Sequence, residues 1–230
     1  MTEFWSYIQN DQYCVGCTGQ TVHLYKKQGG ELARFRDLPS VFRAVFSPAG
    51  TVFAAKSADG RIAIYSLRER RLLYSFRFGE ETEQDAGFCY TRNGDAILNI
   101  ERRADGSAEL CIYDGRFFAP QKRLFGERKG FCLAEVVPDS EQDCCYLLGF
   151  RRGEDGQAER FFVTRLAETR EDERTIRRDE YLFYREYLRL AAAGFTDKAM
   201  LLSPLRYEGY DLRKLQQEKR SLAMLWKRKA

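Results

Sequence analysis

Apolar and polar positions alternate in short runs along most of this chain, and the runs are of strand length rather than helix length. The clearest set lies in residues 41–78, where VFRAVF, VFAA, IAIYSL and LLYSFRF are divided by Ser47-Pro48-Ala49-Gly50, Ser57-Ala58-Asp59-Gly60 and Arg68-Glu69-Arg70-Arg71. Proline fixes φ and glycine supplies positive φ, as tight turns require. Four short Ala-rich and β-branched runs bounded this closely predict an antiparallel four-stranded meander.

The rhythm recurs on both sides. Residues 4–36 give FWSYIQ, YCVGCT, TVHLYKK and ELARFR. Residues 86–125 give AGFCYT, AILNIERR, AELCIYD and a looser fourth strand at Lys122–Phe125, and a fourth copy starts with FCLAEVV at 131–137, CCYLLGF and RFFVTRL. Tyr25, Tyr65, Tyr113 and Thr164 close successive third strands at intervals of roughly 40–50 residues, the length of a propeller blade. CCYLLGF and RFFVTRL are continuously apolar, as expected of strands covered on both faces by neighbouring blades.

On this rhythm residues 4–166 resemble a WD-repeat β-propeller with degenerate repeats. Tyr65-Ser66, Tyr25-Lys26 and Tyr113-Asp114 stand where the family has Trp-Asp, the Gly-His pair is absent, and His23 is the only histidine. The turn aspartates Asp59, Asp105 and Asp155 are retained. The resemblance implies an all-β, propeller-like array of four or five four-stranded blades, either closed as five or completed by another chain.

Beyond the fourth copy the pattern changes. ETREDERTIRRDE, from Glu168, reads as an exposed fourth strand or a solvated linker. Residues 181–202 fit two structures, and the fifth blade, with YLRLAAAG and AMLLSPL as strands, is the preferred expectation. The alternative is a helix with Tyr181, Tyr184 and Leu188 on one face and a stop at Gly194. Residues 211–230 predict a basic amphipathic helix carrying Leu215, Leu222 and Trp226, following a propeller-like domain over 1–210.

Composition narrows the function classes. Among 230 residues, 38 basic and 34 acidic side chains leave a net charge of +4, too mild to call for nucleic acid by itself. The sequence holds no apolar run of membrane-spanning length, and its first residues lack a secretory pattern, so a cytoplasmic protein is expected. Seven cysteines, mostly inside apolar strands, suit a reducing compartment. Cys14 and Cys17 form a CxxC within a strand, which sends the side chains to opposite faces and suits neither redox exchange nor zinc. His23 sits between Val22 and Leu24 with no nucleophile or ligand motif, so its role is read as structural. No phosphate loop, dinucleotide fingerprint or nucleophile elbow occurs, and no cofactor or metal is expected.

The expected function is a non-enzymatic interaction module presenting blade loops to a protein partner. Loops joining second to third strands, and one blade to the next, share one face. That face is expected to carry Arg43, Lys56, Arg102 and Arg103, with Arg128, Lys129, Arg151 and Arg152 further on; Trp226 adds a contact in the tail. A nucleic-acid-associated subunit using the basic loops and tail is one alternative, and a hydrolase with axial carboxylates is another.

Overall fold

The computed structural model describes residues 6–78, 84–139, 142–167 and 171–192. Among these residues are four antiparallel sheets of four strands, each arranged in chain order from the inside outwards. The first blade is β1 (Ser6–Gln9), β2 (Tyr13–Cys17), β3 (Val22–Lys26) and β4 (Glu31–Phe35). The second is β5 (Val41–Phe46), β6 (Val52–Ser57), β7 (Arg61–Ser66) and β8 (Arg71–Arg77). The third is β9 (Phe88–Tyr90), β10 (Ala96–Arg102), β11 (Ala108–Asp114) and β12 (Pro120–Leu124). The fourth is β13 (Phe131–Pro138), β14 (Cys144–Arg152), β15 (Ala158–Ala167) and β16 (Glu171–Ile176). The inner strands β1, β5, β9 and β13 follow one another as neighbours. The charge run from Glu168 therefore supplies an outer strand, β16, rather than a linker only.

Each blade buries a face against the next because its strands offer apolar residues to both sides. Phe53, Ala55 and Tyr65 of blade two pack on Val15, Leu24 and Phe35 of blade one, with the Phe35 and Tyr65 rings 4.5 Å apart. Ala54, Ile62 and Ile64, one residue out of phase, meet Phe88, Ile97 and Tyr113 of blade three. Leu98, Ile100 and Leu110 then meet Leu133, Leu147 and Phe162 of blade four. Alternation at period two, apolar on both phases, produces these continuous runs.

The CxxC cysteines separate as the strand period requires. Cys14 pairs across to Gln9, and Cys17 to Ser6, on opposite faces of the sheet. All seven cysteines are free. His23 is buried, its Nδ1 2.6 Å from Glu31 Oε1, and stacks against Tyr25 with the rings 6.1 Å apart.

The fifth-blade expectation is corrected by a helix, α1 (Arg178–Ala192). The sequence RDEYLFYREYLRLAA contains no β-branched residue and no glycine or proline, and it opens with Asp179 and Glu180 against the positive end of the helix dipole. Tyr181, Phe183, Tyr184 and Leu188 cover Ala134, Tyr146, Leu148 and Val163, the face of blade four that a fifth blade would have taken. Residues 193–202, and the basic helix expected at 211–230 with Trp226, lie outside the described residues.

Candidate interaction surface

Turns between second and third strands are built the same way in blades three and four. Asp105 Oδ1 accepts a hydrogen bond from Ser107 N at 2.8 Å, and Asp155 Oδ1 accepts one from Gln157 N at 2.9 Å. The intervening Gly106 and Gly156 have φ of 77° and 76°, which strains any side-chain-bearing residue. The Ser107 hydroxyl and amide hold the Asp105 carboxyl below its ordinary range. These turns fix the strand ends that carry Arg102 and Arg103 on one blade and Arg151 and Arg152 on the next.

The blade-to-blade connection completes the surface. Arg128 lies over the rings of Phe125 and Phe131, 4.6 and 5.3 Å from their centroids, and makes two 2.9 Å hydrogen bonds to Glu171. Arg151 lies over the same Phe131 ring, at 5.6 Å, and donates to Glu173 at 3.1 Å. Arg103 donates to the Gly126 carbonyl, and Arg102 pairs with Asp85. The Arg152 amide donates to Gly130 O at 2.9 Å, and its guanidinium sits where a Gly106 Cβ would be only 2.8 Å away. Burial pushes the nearby Cys132 thiol up, against the opposing pull of Arg152 and Arg102. Lys129 is exposed beside them. Six of the eight basic residues expected on blade loops thus converge on one rim of blades three and four.

The other two lie inside. Arg43 donates to Glu135 at 2.5 Å, with their side chains 12% and 2% exposed. Lys56 is fully buried; its Nζ donates to Ile100 O at 2.7 Å and Ala86 O at 3.0 Å and lies 5.1 Å from the Phe78 ring centroid. The surface placement expected of Lys56 is corrected. It occupies the strand phase that faces blade three, ahead of the turn and not on it.

Burial pulls the Lys56 ammonium down to about 7 from 10.5, with Glu101 and Asp85 acting in the opposite direction and Arg43 and Arg102 in the same one. An unfolded chain binds this proton up to its ordinary value. The contribution to stability is therefore full above about pH 10.5, falls as pH drops through the window, and is lost by about pH 7. We expect stability in urea to rise by about 2 kcal/mol between pH 7 and pH 9 through this group, and Lys56→Met to flatten that rise.

Beside the rim is a cleft of about 380 Å³ lined by Glu101, Arg102, Arg103, Asp105, Glu109 and Arg123. Within it Arg123 donates to Glu101 at 3.0 Å and to Glu109. The ligand atoms of Glu101, Glu109 and Cys111 lie within 4.8 Å of one another, a set that could hold a cation, and the Arg123 guanidinium already supplies the positive charge there. The adjacent strand phase of β10 and β11 positions these carboxylates as direct cross-strand partners, Glu101 opposite Glu109.

No protein-family model matches the chain, and no curated protein matches it by sequence. Solved structures do. U3-55K is similar at 15% identity and a TM-score of 0.55, over 72% of this chain and 48% of that one. The WD40 repeats of RRP9 are similar at 16% identity and 0.54, over 72% and 48%. The WD40 domain of Toxoplasma gondii coronin is similar at 16% and 0.56, over 74% and 44%. The fold is that of a WD40-type β-propeller array, and the chain spans about half the length of these structures.

Proposed function

We propose that this chain is a non-enzymatic interaction module whose arginine-rich rim on blades three and four receives an acidic surface of a protein partner. The observation that carries this reading is preorganisation. The guanidinium groups are held by phenylalanine faces, backbone carbonyls and outer-strand carboxylates before any partner arrives, so little side-chain freedom is lost on docking. Interleaved Asp85, Glu171 and Glu173 favour a protein surface of mixed charge over the uniform charge of a phosphate backbone. Pairing of Glu135 with Arg43 favours a module over a hydrolase, which would need free axial carboxylates. The Arg43–Glu135 pair closes over Gly87, where a Cβ would lie 2.5 Å from Glu135 Oε2. The basic segment 211–230, with Trp226, adds a second contact in this reading. Seven unbridged cysteines support a cytoplasmic setting.

The test is affinity capture from the source cell with wild type and with Arg128→Ala/Arg151→Ala/Arg152→Ala, identifying the retained species after nuclease treatment. Wild type should hold a protein partner that the triple variant loses at unchanged Tm. Retention that nuclease abolishes, with steep loss on raising salt, would assign the rim to nucleic acid instead.

A further inference from the structure

Among the described residues the outer strands of the four blades pair on one side only, and three of these edges are guarded. β12 starts at Pro120 and continues Gln-Lys-Arg, β16 reads EDERTI, and β4 carries Glu31 and Arg34. Charge and proline on an edge discourage pairing with another chain. β8, RLLYSFR, keeps its arginines at the ends and has Leu73 and Tyr74 exposed at 42% and 45% in its middle.

An aromatic surface adjoins that edge. Tyr74 and Phe76 both stack on Phe118 of the β11–β12 turn, with ring centroids 5.1 and 5.9 Å apart. The turn itself is closed by hydrogen bonds to Asp114. Asp114 Oδ1 accepts from the amides of Arg116 and Phe117 at 2.8 and 2.7 Å, and Phe118 N donates to Asp114 O at 2.9 Å. Gly115 is pressed against blade backbone, since a Cβ there would lie 2.4 Å from Gly94 O. Phe118 takes φ of 55°, an uncommon cost for a bulky residue, and the adjacent Phe117 stands 77% exposed. Arg68 and Arg70 in the β7–β8 turn and Arg116 beside Phe117 are exposed and form no ion pair among the described residues.

We propose that β8 and the Phe117–Phe118 turn receive an extended peptide segment of a protein partner, added as a further antiparallel or parallel strand to blade two. The free edge supplies main-chain hydrogen bonds, the Tyr74–Phe118 floor takes alternate apolar side chains, and Arg68, Arg70 and Arg116 select acidic residues at the flanks. This surface uses none of the residues of the arginine-rich rim and stands independently of it.

A random peptide library displayed on phage, selected on the full chain, tests the proposal, with enriched peptides measured by fluorescence anisotropy. Enriched sequences should alternate apolar residues between acidic flanks. Phe117→Ser and Leu73→Lys, both at exposed positions, should each weaken their binding at least about tenfold. Arg151→Ala/Arg152→Ala should leave it unchanged. Peptides insensitive to Phe117→Ser and Leu73→Lys, or lost only with the Arg151 and Arg152 changes, overturn the assignment. Absence of any enriched peptide, with Phe117-dependent binding to phosphatidylserine vesicles, overturns it in favour of a membrane surface.

Discussion

Glu135→Ala is expected to cost about 3–5 kcal/mol of folding stability, read as a lowered urea midpoint at unchanged slope. Arg43 lies on β5 and Glu135 on β13, inner strands of blades two and four, so the 2.5 Å contact spans blade three at Gly87. Both residues sit at irregularities in their ladders, where register shifts between Val41 and Arg43 and between Leu133 and Glu135. Bulges of this kind re-aim a side chain, here bringing Arg43 and Glu135 together. Removing the carboxylate leaves a guanidinium in a nearly closed site without its counter-charge. The attraction within the pair itself is largely offset by the cost of taking both groups out of water. Arg43→Met/Glu135→Leu should therefore recover most of the lost stability, to within about 1–2 kcal/mol of wild type. A double variant as unstable as Glu135→Ala would show that the pair supplies more than charge compensation.

The strand order of the four blades was legible because turn chemistry and apolar runs agree at most boundaries. Ser57-Ala58-Asp59-Gly60 and Ala104-Asp105-Gly106-Ser107 become turns whose glycines have φ of 83° and 77°, as the dipeptide Asp-Gly predicts. The direction of a charged side chain within a strand was not legible. VFAAKS places Lys56 one residue before its turn, and only the phase relative to neighbouring blades shows that it points inwards. Glu135 and Glu101 were hidden for the same reason, inside apolar strands with partners about 92 and 22 residues away. The helix is legible as the alternative to a fifth blade. The spacing of Tyr181, Tyr184 and Leu188 was visible, and the absence of β-branched residues from 178–192 would have decided between helix and blade.

Truncation before Arg178 should convert the chain into a self-associating species. α1 places Tyr181, Phe183, Tyr184 and Leu188, each at most 5% exposed, on the open face of blade four. Its first turn is held by Tyr181 N donating to Arg177 O at 2.9 Å and by Arg174 donating to Glu180 at 2.6 Å. Tyr181 also meets the Phe161 ring at 4.8 Å and the Phe150 ring at 6.0 Å. Four large side chains at about 1.5–3 kcal/mol each put the burial at roughly 6–12 kcal/mol before conformational entropy is subtracted. Without the helix, Tyr146, Leu148, Phe150, Phe161 and Val163 form a continuous exposed apolar face on blade four. Light scattering should show dimers or aggregates where the full chain is monodisperse at the same concentration. Tyr184→Ala/Leu188→Ala tests the same contact without shortening the chain, and should lower Tm by about 10 °C or more. A truncated chain that stays monodisperse with an unchanged Tm would mean that blade four is covered by something other than α1.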